Sequence, residues 1–157
     1  MSNKIYVFSD PHFGHINMSL KRGFESIEEH DECIVSNWNS VVTKRDTVYL
    51  LGDITMEKSN YEILDRLNGH IKVVLGNHDK GKHVRELLRH VNTVSSSEKI
   101  KGCLLTHIPI HPCEIERFKL NIHGHTHEES ILDDRYYNVS AEVINYTPKL
   151  LNEIIEL

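Results

Sequence analysis

The most constraining feature of this chain is a series of short segments rich in metal-ligand side chains. Five such segments occur, and they read Asp10-Pro11-His12, Gly52-Asp53, Gly76-Asn77-His78-Asp79, Thr106-His107 and Gly124-His125-Thr126-His127. Aspartate, asparagine and histidine together suit borderline divalent ions such as manganese, iron, zinc or nickel. Seven ligands are too many for one tetrahedral ion, but they match two ions with open positions. The fold therefore has to bring distant segments together.

Two of these segments carry ligand pairs spaced two residues apart. Asp10 precedes His12 in the first segment, and His125 precedes His127 in the last. Side chains two apart on an extended backbone leave it on the same side. We therefore expect each pair to face one metal centre.

Length and composition predict one ordinary globular domain over residues 1–157. The net charge is −5 with neutral histidines, and no basic cluster indicates an extended nucleic-acid groove. A small anionic substrate that meets bound cations fits this charge better. Three widely spaced cysteines, no signal peptide and no membrane-length apolar run predict a soluble cytoplasmic protein with reduced thiols.

Apolar runs and helical spacing predict alternating strands and helices in the first half. Strands are expected at residues 5–8, 47–51 and 71–75, with helices at 27–42, after Ser59 or Asn60, and at 83–88. The second half is richer in strands, with a hairpin turn at Lys101-Gly102 and a last helix from Thr147-Pro148. This pattern predicts helices packed outside two facing sheets.

Three of the metal-type residues follow predicted strands directly. Asp10, Asp53 and Asn77 each come at the carboxyl end of an apolar run. In α/β sheets this edge is where ligands bind. The sequence thus predicts oxygen ligands from three strands at one edge.

Taken in order, the five segments resemble the motifs of the calcineurin-like metallophosphoesterase family. The opening Ser9-Asp10-Pro11-His12-Phe13-Gly14-His15-x-Asn17 resembles that of its small single-domain bacterial and phage members. The resemblance extends from position 10 to position 127. It implies a four-layer α/β/β/α sandwich, in which two facing mixed sheets are flanked by helices, and a dinuclear metal site.

The resemblance also implies a division of the ligands between two ions. Asp53 would bridge both ions, and the other six ligands would divide into Asp10, His12 and His127 on the first ion and Asn77, His107 and His125 on the second. Manganese is the preferred metal, with iron, zinc, nickel or cobalt as alternatives. Two such ions, two aspartates and one hydroxide leave a net positive centre that favours phosphate.

The implied reaction is in-line attack of a metal-bound hydroxide on the phosphorus of a phosphate ester. By resemblance His78 is the proton donor to the leaving oxygen, while Asn77 and His15 are candidate contacts to the substrate. Many relatives carry an aspartate three positions after the bridging one, which orients this histidine. Met56 stands there in this chain, and Asp79 or Glu57 are candidate replacements.

Other charged and aromatic groups have more ordinary interpretations. We expect Arg22 and Arg45 to be surface residues rather than phosphate contacts. Surface positions are also expected for five histidines, namely His30, His70, His83, His90 and His111. His123 shares the spacing of His125 and His127, so the residues alone leave it open as a ligand, and the family pattern makes it at most a supporting partner.

Three functional hypotheses remain open at this stage. A phosphodiesterase is favoured because a short chain leaves little material for a cap domain over the site, and its substrate would be a small phosphate ester, a nucleotide or a short nucleic-acid end. A phosphomonoesterase or nucleotide phosphatase is the first alternative. The second is a catalytically silent metal-binding scaffold, which would be expected to lose ligands or His78.

Overall fold

The fold follows from a computed structural model that describes residues 3–56 and 60–157. Its first half alternates strands and helices, as the apolar runs predict. The elements are β1 (Ile5–Phe8), α1 (Ile16–Lys21), α2 (Ile27–Val41), β2 (Thr47–Leu50), a 3-10 helix (Tyr61–Arg66) and β3 (His70–Val74).

The second half consists of short strands with brief helical turns between them. They are a 3-10 helix (Gly81–His83), α3 (Val84–Leu87), β4 (Thr93–Ser95), β5 (Glu98–Ile100), β6 (Cys103–Leu105), α4 (Pro112–Ile115), β7 (Asn121–His123), β8 (Tyr136–Asn138), β9 (Lys149–Leu150) and α5 (Leu151–Ile155).

These strands form two mixed sheets. The first has the order β4-β3-β2-β1-β9 and the second β5-β6-β7-β8. In the first sheet only β9 is antiparallel to its neighbour, and in the second only β5 is. The two sheets are flanked by helices, so the predicted α/β sandwich is confirmed.

The core has two parts because strand side chains alternate between the faces of a sheet. Tyr6 and Phe8 of β1 pack with Trp38 of α2 on one face of the first sheet. Val7 of β1 points the other way and packs with Ile122 of β7, in the space between the sheets. The first sheet is thus apolar on both faces, as its continuous apolar runs predict.

Helix α2 agrees closely with the predicted span. Ser26 caps it by accepting a hydrogen bond from Glu29 N–H at 3.0 Å, and this contact supplies one of the partners that a helix start lacks. Ile34 and Trp38, four residues apart, are both fully buried. This spacing places them on one helix face against the sheet.

The hairpin turn predicted at Lys101-Gly102 is also present. Both residues have left-handed backbone angles, with φ of +49° and +81°, and the turn joins antiparallel β5 and β6. Two consecutive positive φ values match the twist of a two-residue hairpin.

Several element boundaries differ from the sequence prediction. Thr147-Pro148 does not start the last helix, because residues 149–150 instead pair with β1 and α5 begins at Leu151. Residues 61–66 form a 3-10 helix, and Asn60 makes no side-chain cap. Ser59, the other predicted cap, lies outside the described residues. Helix α1, which the periodicity did not predict, is capped by the His15 ring.

The cysteines are free, and Cys103 is buried in β6 as expected. Within residues 3–56 and 60–157, the structure contains no helix with both the length and the apolar character needed to cross a membrane.

Candidate metal centre

The predicted ligands meet where strands of both sheets end. Parallel β1, β2 and β3 end just before Asp10, Asp53 and Asn77. In the second sheet, β6 and β7 end just before the segments of His107 and His125. The two sheets therefore deliver all five segments to one edge, and the expected position at the carboxyl ends of the strands is observed.

Asp10, His12 and His127 form a first group, whose ligand atoms lie within 4.8 Å of one another. Asp10 Oδ1 is 3.6 Å from His12 Nε2 and 3.9 Å from His127 Nε2. The other Asp10 oxygen accepts hydrogen bonds from Ser9 Oγ at 2.6 Å and His125 N–H at 2.8 Å. One oxygen is thus held by the protein while the other faces the histidines.

Asp53, His107 and His125 form a second group within the same distance. Asn77 Oδ1 joins it, 2.9 Å from His107 Nε2 and 3.1 Å from His125 Nδ1. The other nitrogen of His107, Nδ1, lies 2.7 Å from the Leu51 carbonyl oxygen. A proton on Nδ1 leaves the Nε2 lone pair free for a cation.

Asp53 lies between the two groups. Its Oδ2 is 3.3 Å from His107 Nε2 in the second group and 3.9 Å from His12 Nε2 in the first. A single carboxylate oxygen therefore faces both sets of histidines. The two groups are compatible with two cations that share this aspartate.

The backbone of the paired ligands is not extended, which corrects the sequence expectation. Positive φ values occur at five ligand positions, namely Asp10 (+57°), His12 (+49°), Asp53 (+51°), His125 (+68°) and His127 (+50°). Left-handed turns, rather than strand alternation, aim these side chains. Aspartate and histidine enter this region more readily than most residues. Asp10 and His12 belong to one group, whereas His125 and His127 belong to different ones.

Burial and charge set the protonation of the ligands. Burial alone would raise the pKa of Asp10, but the nearby His12 and His107 rings and the hydrogen bond from Ser9 outweigh it, so that pKa is lowered. Burial alone would likewise raise the pKa of Asp53, but the contact with His107 outweighs it, and that pKa is lowered. Burial lowers the pKa of His12. Ionised aspartates and neutral imidazole are the forms that bind metal ions.

Unpartnered polar atoms indicate that the residues present fit a cation. Among the described residues, Asp10 Oδ1 and both ring nitrogens of His12 are buried without a hydrogen-bond partner. Buried polar atoms are normally paired, because leaving one unpaired costs about 1–3 kcal/mol. Asp10 Oδ1 and His12 Nε2 lie 3.6 Å apart in the first group, where a divalent cation would satisfy both. Carboxylate oxygens with imidazole nitrogens form a suitable donor set for such an ion.

His78 lies at the centre but is less constrained than the ligands. Its main-chain N–H donates to Asp53 Oδ1 at 3.0 Å, while its half-exposed ring has Nε2 4.0 Å from Asp53 Oδ2. Asp79 does not orient this ring, contrary to one expectation. Its carboxylate accepts hydrogen bonds from the N–H groups of Asp53, Ile54 and Gly76 at 2.7–3.1 Å. Glu57, the other candidate, lies outside the described residues.

His15 lies beside the first group, with its ring 6.1 Å from that of His12. Its Nδ1 accepts the Met18 N–H at 2.9 Å and so caps α1. In a neutral imidazole the proton is then on Nε2, which makes His15 a hydrogen-bond donor. His15 also lines a cavity of about 400 Å³ together with Phe13 and Met56.

A second cavity, of about 380 Å³, opens beside His125 and His127. Its lining is more charged, and it includes Lys21 and Glu128. The candidate centre therefore has open space next to both groups of histidines.

Sequence reasoning missed Arg22 and Glu142, which lie beside the candidate ligands. Arg22 was expected at the surface, but its side chain is only 1% exposed and pairs with Glu142 at 2.8 Å. Glu142 in turn lies 2.9 Å from His127 Nδ1. His30, also expected at the surface, is fully buried. No local motif marks these residues, because their partners are distant in the sequence.

His123 is buried, and its contacts are not those of a metal ligand. Its Nδ1 is 2.8 Å from the Gly124 carbonyl oxygen, its ring centroid is 6.1 Å from that of Tyr136, and burial lowers its pKa. It belongs to neither candidate metal group.

Comparison with known proteins gives relatives of similar length. No protein-family model matches the chain. The uncharacterized protein MJ1445 of Methanocaldococcus jannaschii is 35% identical over 98% of this chain and 90% of its own length. The chain belongs to the family of this protein. The gene 66 protein of Mycobacterium phage L5 is 31% identical, over 84% of this chain and 81% of its own length.

Two solved structures have a similar fold. A protein of unknown function from Aquifex aeolicus, AQ665, is 26% identical and covers 99% of both chains with a TM-score of 0.79. An archaeal phosphodiesterase is 20% identical over 87% of this chain and 82% of its own, with a TM-score of 0.52. The chain therefore shares its fold with both proteins.

Proposed function

We propose that this protein is a metal-dependent phosphoesterase with a phosphodiester as its favoured substrate. The observation that carries the proposal is the pair of His/Asp groups that share Asp53 at the edge of the sheets. The fold shared with an archaeal phosphodiesterase supports the same reaction class.

Two divalent cations, manganese preferred, would be held by the two groups. The ligands are Asp10, His12 and His127 for one cation, Asn77, His107 and His125 for the other, and Asp53 for both. Such ions supply Lewis acidity to phosphoryl oxygens and lower the pKa of water.

Side chains around the groups have separate tasks in this proposal. His78 donates a proton to the leaving oxygen from its half-exposed ring, and its main chain is fixed by Asp53. His15 donates from Nε2 to a phosphate oxygen, since its Nδ1 is occupied by the α1 cap. Asn77, whose Oδ1 lies 2.9 Å from His107 Nε2 in the second group, is the third proposed contact to the substrate. Each side chain then acts on a different oxygen of the ester.

Open space on two sides of the centre favours a diester. One cavity adjoins His15 and the other adjoins His125 and His127. A phosphodiester has two substituents, and each cavity has room for one of them. The proposed substrate is a small phosphate ester, with a nucleotide or a short nucleic-acid end as examples. We further propose that residues 1–157 act as one domain in the cytoplasm.

Replacement of the shared aspartate tests the reaction. We expect wild type to release nitrophenol from bis(p-nitrophenyl) phosphate when manganese is added, and faster than from p-nitrophenyl phosphate. Asp53→Asn removes the charge between the two groups and should lower kcat about 100-fold, because it weakens both cation sites. The measurement is the initial rate with each substrate.

Asp134→Asn is the matched control, since Asp134 is exposed, and its rates should equal those of wild type. Wild-type turnover in Asp53→Asn would contradict the ligand assignment. No turnover of wild type with manganese, nickel, cobalt or zinc would instead indicate a silent scaffold. Faster release from the monoester would indicate a phosphomonoesterase.

A further inference from the structure

One buried arginine connects two candidate ligands that are more than a hundred residues apart in sequence. The Arg22 side chain is 1% exposed. Its Nη2 donates to the Asp10 carbonyl oxygen at 2.7 Å, and its Nη1 donates to the Pro11 carbonyl oxygen at 3.0 Å. Its Nε donates to Glu142 Oε1 at 2.8 Å. A buried guanidinium needs such partners, because an unpaired buried charge is costly.

Glu142 carries the connection to the other side of the first group. Its Oε1 lies 2.9 Å from His127 Nδ1, so the ring proton on Nδ1 donates to it. In the neutral ring the lone pair is then on Nε2, which lies 3.9 Å from Asp10 Oδ1. Carboxylates that bind the far nitrogen of a histidine fix its tautomer and its ring orientation in this way.

The same network also holds the segment that carries His12. Arg22 Nη1 lies 2.8 Å from His30 Nε2, and His30 Nδ1 lies 2.7 Å from Asp31 Oδ1. Asp31 in turn accepts the Gly14 N–H at 3.0 Å. The loop from Asp10 to Gly14 is therefore fixed at both ends by groups that connect to Arg22. Its left-handed residues Asp10 and His12 need such support.

We propose that Arg22 and Glu142 are positioning residues that hold Asp10, His12 and His127 in the geometry of one cation site. This inference rests on the proposed function. Arg22 sets the ligand loop through two carbonyl oxygens and sets His127 through Glu142. Glu142 belongs to neither candidate metal group, and a guanidinium has no lone pair to offer a cation. They raise the affinity of the first site by reducing the reorganisation that binding requires.

Arginine is required by geometry rather than by charge. Its planar fork reaches two carbonyl oxygens, Glu142 and His30 together, whereas a lysine ammonium is a single point with three donors. Arg22→Lys keeps the positive charge but cannot span these partners. An electrostatic role alone would be preserved by this substitution, and a positioning role would not.

Calorimetric titration of Mn²⁺ into the metal-free protein tests the proposal. Wild type should bind two ions. Arg22→Lys and Glu142→Ala should lower the affinity of one site about 10- to 100-fold. The second site, which these residues do not contact, should change less than about twofold, and kcat should fall with little change in KM. Glu142→Gln keeps the shape of the side chain and should lower the Mn²⁺ affinity of this site about 10-fold.

Arg66→Lys is the matched control, because Arg66 forms an exposed ion pair with Glu32 at 2.6 Å. It should bind both ions as wild type does. Circular dichroism melting establishes that each variant is folded, and Glu142→Gln provides a test even where Glu142→Ala does not fold. Equal affinities in Arg22→Lys, Glu142→Gln and wild type would overturn the positioning role alone. Absence of Mn²⁺ binding by wild type would overturn both this role and the proposed function.

Discussion

At the scale of single residues, the candidate centre depends on strained backbone. Five of its seven candidate ligands have positive φ, and each such residue costs on the order of 1 kcal/mol or more. Hydrogen bonds between ligand loops hold this conformation. Asp10 N–H donates to the Gly52 carbonyl oxygen at 3.1 Å, and His12 N–H donates to that of Asp53 at 3.1 Å. The ligand loops thus position one another.

Gly124 is needed where two of these loops touch. A β-carbon at this position would overlap Ser9 Oγ and Asp10 Oδ2. Gly124→Ala should therefore displace Asp10, lower kcat about 100-fold and destabilise the fold by about 1–3 kcal/mol. Enzyme assays and denaturant unfolding measure the two effects.

Gly81→Ala is the control for this change, since nothing lies within 4 Å of its added β-carbon. It should leave activity and stability close to those of wild type. Full activity in Gly124→Ala would show that the contact between these loops is not required.

At the scale of elements, one aspartate organises the sheet edge opposite to the candidate centre. Asp46 accepts hydrogen bonds from Lys4 N–H and Thr43 N–H, both at 2.8 Å. Its own carbonyl oxygen accepts the His70 N–H at 2.8 Å. These contacts join the starts of β1, β2 and β3. Asp46 therefore helps to fix the register that brings Asp10, Asp53 and Asn77 to one edge.

Asp46→Asn should cost about 2 kcal/mol of unfolding free energy at pH 7, because an amide replaces a charged acceptor of several hydrogen bonds. Burial alone would raise the pKa of Asp46, but the N–H groups of Thr43 and Lys4 outweigh it and lower this pKa. The stabilisation is thus fully present above the unfolded pKa of about 3.9. It is lost as the pH falls through the lower folded pKa.

Urea unfolding from pH 7 down to pH 3 measures this pH dependence. The difference between wild type and Asp46→Asn should shrink over the acid range. Asp134→Asn, at an exposed position, should have the same unfolding free energy as wild type at every pH. A constant difference down to pH 3 would contradict the role of the ionised carboxylate.

At the scale of the whole molecule, charge and metal binding are linked. The chain has a net charge of −5, and two buried aspartates, Asp10 and Asp53, lie close together at the proposed centre. Without cations, the repulsion between these two carboxylates and the unpartnered Asp10 Oδ1 weaken the fold. Bound divalent ions would remove both costs and provide positive charge for an anionic substrate.

Metal should therefore stabilise the protein. At a free Mn²⁺ concentration about 100-fold above Kd, one site adds about 2.7 kcal/mol, which raises Tm by about 5–10 °C for a domain of this size. Scanning calorimetry with Mn²⁺ and after chelation measures the shift. Asp53→Asn should show a much smaller shift than Asp134→Asn, and equal shifts in the two variants would contradict the proposed ligands.

The sequence predicted β1, β2, β3 and α2 well, because their apolar spacing is local. It also predicted that Asp10, Asp53 and Asn77 would meet, since parallel strands end at one edge. It was wrong about the extended ligand pairs and about buried Arg22 and His30. Backbone angles at the ends of strands and the burial of polar groups depend on contacts that spacing does not encode.

The sequence by itself determined which ligand types are present, their order along the chain and the strands that carry them. Only the tertiary structure decided the left-handed backbone that aims five of these ligands. It also revealed the link from Arg22 through Glu142 to His127. Arg22 and Glu142 are 120 positions apart in the sequence. Periodicity acts over a few residues, whereas the centre forms where two sheets meet, so packing alone brings its supporting residues together.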